Sequence, residues 1–550
     1  MKKRTILIFL TILFVLFAAG TLWGLGYFGG RIFGVPVVSS EKAEKLCNGR
    51  EDDPDYERIF FDGNPVIRDE TENIIYVSKD LSTKGLAGTF TANGGHLYFE
   101  KNEAFENPEK AIAEGEMLTL YYVGSDKCFS TKVVVSGLPV MSLTAMYDVG
   151  EEIWGGGMKL LDPGRTGNSY ISEAAEFAYR GNVSKSYEKK CYKLTLSDEK
   201  RSLCGLRKDD DWTLNALYDD IGLVRNATCM RLWNEISAMN SVSGDNCCEA
   251  EFVELIVNNE YRGVYLLCER IDQKTTGIGG DDILYKYQVY APEDSLKKYA
   301  KCFTVEYPRW VGESKEDNKT YKQPMLDFMW KTYIPGSGRT TYDDISEEVY
   351  LDNAADYLIF CLAVSAYDNR YKNSYFGAVK RADEAYKFFE LPWDMNATFG
   401  VKNGYKFSME NAEKHDCWSY VGGSLYDLAP EEFGVYVYER YKNLRQSVLS
   451  EENMNGIVDE YIKTLTDSGA AERNYKKYPC YRKSKVNLSI DYAELFTKTQ
   501  IQEYTTTRMA YLDEYMEEEV AKGEAKPNGP DIDNSDDLQK NTTDASEGNK

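Results

Sequence analysis

The block from Tyr367 to Gly400 restricts the fold more than any other stretch: YDNRYKNSYF, a short Lys-rich aromatic segment, then ELPWDMNATFG. Ahead of it, SEEVYLDNAADYLIFCLAVSAY is apolar enough to predict a helix of about 20 residues, and its C-terminal end delivers Asp368. KFFELPWD predicts a strand ending at Asp394. Asn373 follows Asp368 by five positions, and Asp394 follows it by 26. An acid, an amide five later and a second acid beyond a hairpin is the layout of a phosphoryl-transfer centre. In such a centre the first Asp accepts a hydroxyl proton, while the Asn and the second Asp hold Mg²⁺ on nucleotide phosphates. The match is one of spacing and residue type, since neither HRD nor DFG occurs. The bland alternative is an Asp-Asn turn pair and a strand-end acid capping a loop.

Composition narrows the chemistry. The chain has 550 residues, enough for two or three domains. Its formal charge of −24 offers no net basic footprint for nucleic acid. Only two histidines occur, His96 and His415, so a three-His zinc site is excluded. His415 and Cys417 could be imagined as a thiol site; a solvent-facing loop histidine is the ordinary reading. Chemistry must then rest on carboxylates, amides and lysines, which favour Mg²⁺ or Mn²⁺.

Lys2, Lys3 and Arg4 precede an apolar run from Ile6 to about Gly30. The charge order puts the short N-terminus in the cytoplasm and the bulk outside. The run passes Ala18-Ala19-Gly20, a candidate cleavage site, and continues through Trp23 and Tyr27 as interfacial anchors. An uncleaved signal-anchor is therefore favoured over a cleaved signal peptide, which would leave a secreted chain. The twelve cysteines of an exported chain are candidates for disulfides, or for buried thiols within apolar strands.

Residues 1–30 are thus read as signal-anchor or signal peptide and 31–46 as a linker. Short alternating runs over 47–143 predict a small all-β sandwich. Strands and helices mix from Thr144 to Gly400, including a hairpin turning at Asn258-Asn259-Glu260 and a helix in LVRNATCMRLWNEISAM with Asp219-Asp220 as possible caps. Residues 401–520 are mostly helical in pattern. A Gly-, Pro-, Asp- and Ser-rich tail, placed at 516–550, predicts disorder.

Three segments then converge: RGNVSKSYEKKCYKL, VELIVNNEYRGVYLLCERID and LPWDMNATFG. With YDNRYKNSYF and the C-terminal RMAYLDEY, they resemble the CotH family, the spore-coat-protein-H-like kinases, over roughly residues 140–515. The resemblance implies an α+β architecture: a divergent protein-kinase-like domain over 144–515, behind the β-sandwich and the N-terminal transmembrane helix. It also implies ATP with Mg²⁺ or Mn²⁺, and transfer to protein Ser or Thr at the cell surface. By the same resemblance Asp368 is the catalytic Asp that takes the hydroxyl proton and Asp394 holds the metal; Asn373 joins them as a metal ligand through the five-residue spacing. Asn396 stands where the family usually has Asp, so it adds an oxygen but no charge. Glu188 stands where Pro is common.

Lys190 would pair the α/β-phosphates. Strand alternation puts Lys190 and Tyr192 on one face and Lys189 and Cys191 on the other, and Lys189 or Lys193 could serve instead. Arg180 could grip a phosphate bidentately, Glu269 could orient the lysine, and Trp393 could wall the site. A basic strand face, a surface ion pair and an edge-strand acid are the bland readings. Gly155-Gly156-Gly157 offer flexibility or phosphate contact, a job that RGN and Ser184 could also do. The sequons at Asn182, Asn226 and Asn396 are read as fortuitous. The competing functions are a surface adhesion or structural protein on the same fold and, last, a two-carboxylate glycosidase.

Overall fold

A computed structural model describes residues 31–527, except 80–87, 103–107, 114–115, 146–148, 163–168, 243–247, 289–301, 310, 312–313, 334–339, 371, 403–405 and 481–486. The expected membrane helix over 1–30 lies outside the described residues; among those described, no helix is long and apolar enough to cross a membrane. The architecture is mixed α+β. The chain divides into two compact units, one of residues 1–218, 250–269 and 461–492, the other of 219–249, 270–460 and 493–550.

The first unit is mostly sheet. Seven strands within 31–136 form one sheet, and Ile59–Phe61, Asn64–Pro65 and Phe90–Ala92 form another. A disulfide joins Cys47 at the end of helix Ser40–Cys47 to Cys128 on a central strand, with Cα atoms 5.3 Å apart. Seven further strands close into a barrel: Val140–Ala145, Trp154–Leu161, Tyr170–Arg180, Cys191–Leu196, Asp211–Asn215, Glu260–Glu269 and Ala250–Val257. Closure removes the exposed edges that an open sheet would carry. Inward positions such as Leu143, Phe177, Leu194, Trp212, Leu255 and Leu267 fill it. The hairpin within it turns at Asn258-Asn259, both left-handed (φ 49° and 56°), a conformation asparagine tolerates. Glu260 already belongs to the returning strand. The three glycines 155–157 lie in a barrel strand, not a loop. A Cβ on Gly156 would sit 2.1 Å from the Thr144 carbonyl oxygen, so glycine permits the strand's close approach there.

The second unit carries a four-stranded antiparallel sheet, in the order Phe303–Tyr307, Ile283–Tyr287, Ser374–Lys380, Tyr386–Pro392. The same unit holds helices Arg225–Ser237, Gln323–Tyr333, Leu351–Ala363, Tyr420–Leu428, Pro430–Arg445 and Tyr504–Tyr515, and Leu351–Ala363 packs on strand Tyr386–Pro392. Helix Leu351–Ala363 is buried from Asn353 onward; its apolar side chains suit that place, and its buried carboxylate Asp356 is paired with Arg440 (2.6 Å). It has 13 residues, not about 20. Val349 bridges to Phe388 and Tyr350 N–H donates to the Phe388 carbonyl, which holds the preceding residues extended against the sheet. At the other end, left-handed Ser365 (φ 52°) stops it. The tail read from residue 516 is ordered at its start: Met516 and Val520 are fully buried, and Ala525 N–H donates to the Tyr426 hydroxyl. Residues beyond 527 lie outside the described set.

Candidate active site

The helix Leu351–Ala363 ends four residues before Tyr367, and Asp368–Arg370 forms a single 3₁₀ turn. Asn369 ties this turn to the hairpin that follows. Its Nδ2 donates to the carbonyl of Asn373 (2.9 Å) and to that of Trp393 (2.8 Å), and Trp393 N–H also donates to the Asn373 carbonyl (2.8 Å). Tyr357 on the buried helix donates its hydroxyl to the Asn369 carbonyl (3.0 Å). Asn373 and Asp394 thus stand together at the open end of one antiparallel ladder, where Ser374 pairs with Pro392. Both are left-handed, with φ of 55° and 56°. Non-glycine residues held there store local strain, which gathers at functional sites. Asp368 is largely buried, and Lys372 Nζ lies 3.1 Å from its Oδ2.

The loop after Asp394 is seated by the start of helix Arg225–Ser237. Asn226 Oδ1 accepts from Met395 N–H (2.8 Å), and Asp219 Oδ2 accepts from Asn396 Nδ2 (2.8 Å). Asp220, read from sequence as a cap, takes the Arg225 backbone N–H (2.7 Å) and its guanidinium (2.5 Å). Asn226 and Asn396 are buried and engaged, as their fortuitous sequons require.

The segment that follows rests on helix Tyr504–Tyr515. Arg508, fully buried, donates to the carbonyls of Leu362 (2.7 Å), Ala412 (3.0 Å) and Lys414. His415 stacks on Tyr515 at 4.6 Å and bonds the Tyr511 hydroxyl (2.8 Å). Burial pushes the Cys417 thiol up to about 12, which disfavours the thiolate that a His415–Cys417 nucleophile would need.

In the first unit, strand Cys191–Leu196 begins after both Lys189 and Lys190, so alternation does not govern those two. Lys189 is 1% exposed; its ammonium donates to Asn474 Oδ1 (2.8 Å) and to the Val264 carbonyl, between the rings of Tyr265 and Tyr478. Desolvation lowers it to about 7, and it has no opening to a phosphate. Lys190 Nζ donates to the Lys185 carbonyl (2.7 Å), and Lys193 is half-buried on the strand. Arg180 ends strand Tyr170–Arg180, and Ser184 Oγ meets its carbonyl at 3.4 Å. Glu269 is buried, and its Oε1 takes the Arg207 backbone N–H (2.6 Å).

A metal would find oxygen donors only: the carboxylates of Asp368 and Asp394 and the amides of Asn373 and Asn396. Among the described residues no three Asp, Glu, His or Cys side chains gather as a metal centre. The set still fits Mg²⁺ or Mn²⁺, because such ions use one or two carboxylates and complete their shell with water and substrate phosphates. Asn369, Asn226, Asp219 and Arg508 were not expected at the site. RMAYLDEY marked Arg508's helix, and the Asp219-Asp220 pair was visible only as a cap.

An α+β kinase-like protein is the class these features define. The family model described as CotH kinase protein matches residues 177–512, more than half of the chain, and the chain belongs to the CotH family. No curated protein matches the chain.

Proposed function

We propose that the chain is a membrane-anchored, extracytoplasmic protein kinase that moves the γ-phosphoryl group of ATP to a Ser or Thr hydroxyl of another protein. The observation that carries this reading is the hydrogen-bonded knot in which Asn369 ties the Asp368 turn to both Asn373 and Trp393. Such a knot fixes an acid and a metal-holding hairpin end relative to each other, and phosphoryl transfer depends mainly on positioning and charge.

Asp368 takes the acceptor proton as the hydroxyl oxygen bonds to phosphorus and the bond to the ADP oxygen breaks. Lys372 adds positive charge beside it. Asp394, Asn373 and Asn396 would hold Mg²⁺ or Mn²⁺, which when bound neutralises the phosphates. Lys190 and Arg180 are candidate phosphate contacts within the first unit, and Trp393 is a candidate wall within the second. The Cys47–Cys128 disulfide supports an oxidising compartment outside the cytoplasm, reached if residues 1–30 anchor the chain.

The test is transfer of label from γ-labelled ATP by the full-length chain with Mn²⁺ or Mg²⁺. Asp368→Asn is expected to lower the rate about 10²- to 10⁴-fold, and Asp394→Asn to abolish it. A folded wild-type chain that neither binds nucleotide nor transfers label would leave a surface adhesion protein instead.

A further inference from the structure

We infer that Asp219 is a positioning residue of the metal site, compensating for the amide at Asn396; this rests on the kinase reading above. A carboxylate only accepts hydrogen bonds, whereas an amide has one accepting and one donating end. Asp219 Oδ2 lies 2.8 Å from the Asn396 side chain. The amide must therefore turn its Nδ2 towards Asp219 and its oxygen the other way, whatever else the pair touches. Its backbone is fixed as well, since the preceding Met395 N–H is held by Asn226 and the Thr398 hydroxyl bonds the Met395 carbonyl (2.9 Å). Asn396 is 7% exposed, so few other rotamers are open to it.

This explains why asparagine is compatible with position 396. An aspartate there would set two carboxylates at hydrogen-bonding distance in a buried place, and one would have to take up a proton. With asparagine the negative charge sits on Asp219 and the ligand oxygen on Asn396. Helix Arg225–Ser237 and the turn ahead of it hold Asp219 in place, because Asp220 is locked to Arg225. Losing an outer partner of this kind lowers metal affinity about 10- to 100-fold.

The experiment is Mn²⁺ titration of the full-length chain with a non-hydrolysable ATP analogue, free Mn²⁺ being read by electron paramagnetic resonance. Asp219→Asn frees the amide to rotate and is expected to weaken Mn²⁺ about 10-fold or more. Asp219→Glu keeps the charge but shifts the carboxylate by a methylene, and is expected to weaken it too. The exchange Asp219→Asn with Asn396→Asp restores one donor facing one acceptor and is expected to return affinity to the wild-type range. Thermal melts check that each variant is folded. Wild-type affinity in a folded Asp219→Asn or Asp219→Glu, or no rescue in the exchange, overturns the inference and leaves the kinase reading standing. A wild-type chain that binds no Mn²⁺ with the analogue overturns both.

Discussion

Glu390 sits four residues before Asp394, 5% exposed, and its Oε2 has no hydrogen-bond partner among the described residues. Desolvation raises it from 4.5 to about 8. The folded chain therefore holds a proton that the unfolded chain gives up as pH rises above 4.5. The contribution of this group to stability is fully present below that value and is lost towards pH 8, at about 1.4 kcal/mol per pH unit. Glu390→Gln removes the titration. It is expected to raise the melting temperature by several degrees at pH 8 and to leave it unchanged near pH 4; equal shifts at both would refute the assignment. At this scale the sequence was partly legible. The placement of Asp368, Asn373 and Asp394 at one turn and hairpin was readable, because five and 26 positions are spacings that a turn and a hairpin impose. Their supports were not. Asp219 and Asn226 lie 177 and 169 positions from their partners, and no local pattern records a contact across that distance. Lys189 and Lys190 misled for the opposite reason, since a two-residue alternation was applied where the strand had not begun.

Elements are held to the site by a few buried donors. Arg508 spans the end of helix Leu351–Ala363 and the segment around Ala412 and Lys414. Arg508→Met leaves those carbonyls without the donor, each buried group costing about 1–3 kcal/mol. Hydrogen exchange is expected to speed up in residues 409–418; unchanged protection there would show that His415 and its rings suffice. Asn369→Ala removes both of its bonds to the hairpin ends. It is expected to cut phosphotransfer at least tenfold while lowering the melting temperature only modestly; a stable variant with full activity would remove the knot from the argument. Helix and hairpin identities were legible in apolar periodicity and turn residues. Their ends were set by tertiary pairing: Val349 bridging to Phe388 shortened the helix, and barrel closure turned the Gly155–Gly157 run into strand.

Over the whole molecule, Cys47 and Cys128 close a loop with a sequence separation of 81. A loop of that size stabilises by roughly 4 kcal/mol through the unfolded state. Cys47→Ser with Cys128→Ser is expected to melt several degrees lower, and reductant is expected to lower the wild type to match without affecting the variant. Insensitivity of the wild type to reductant would place the chain's stability elsewhere. The barrel was the least legible feature, because closure depends on Val140–Ala145 pairing with Ala250–Val257 more than a hundred residues later, in parallel.

That interleaving governs how the protein is made. The chain passes five times between its two units, and the first unit waits for residues 461–492. A ribosome emitting ~5–20 residues per second leaves barrel strands without their last supports for roughly tens of seconds. Neither half can finish before the other is nearly synthesised. Any factor that shields the unfinished strands until residues 461–492 have emerged is therefore expected to raise the yield.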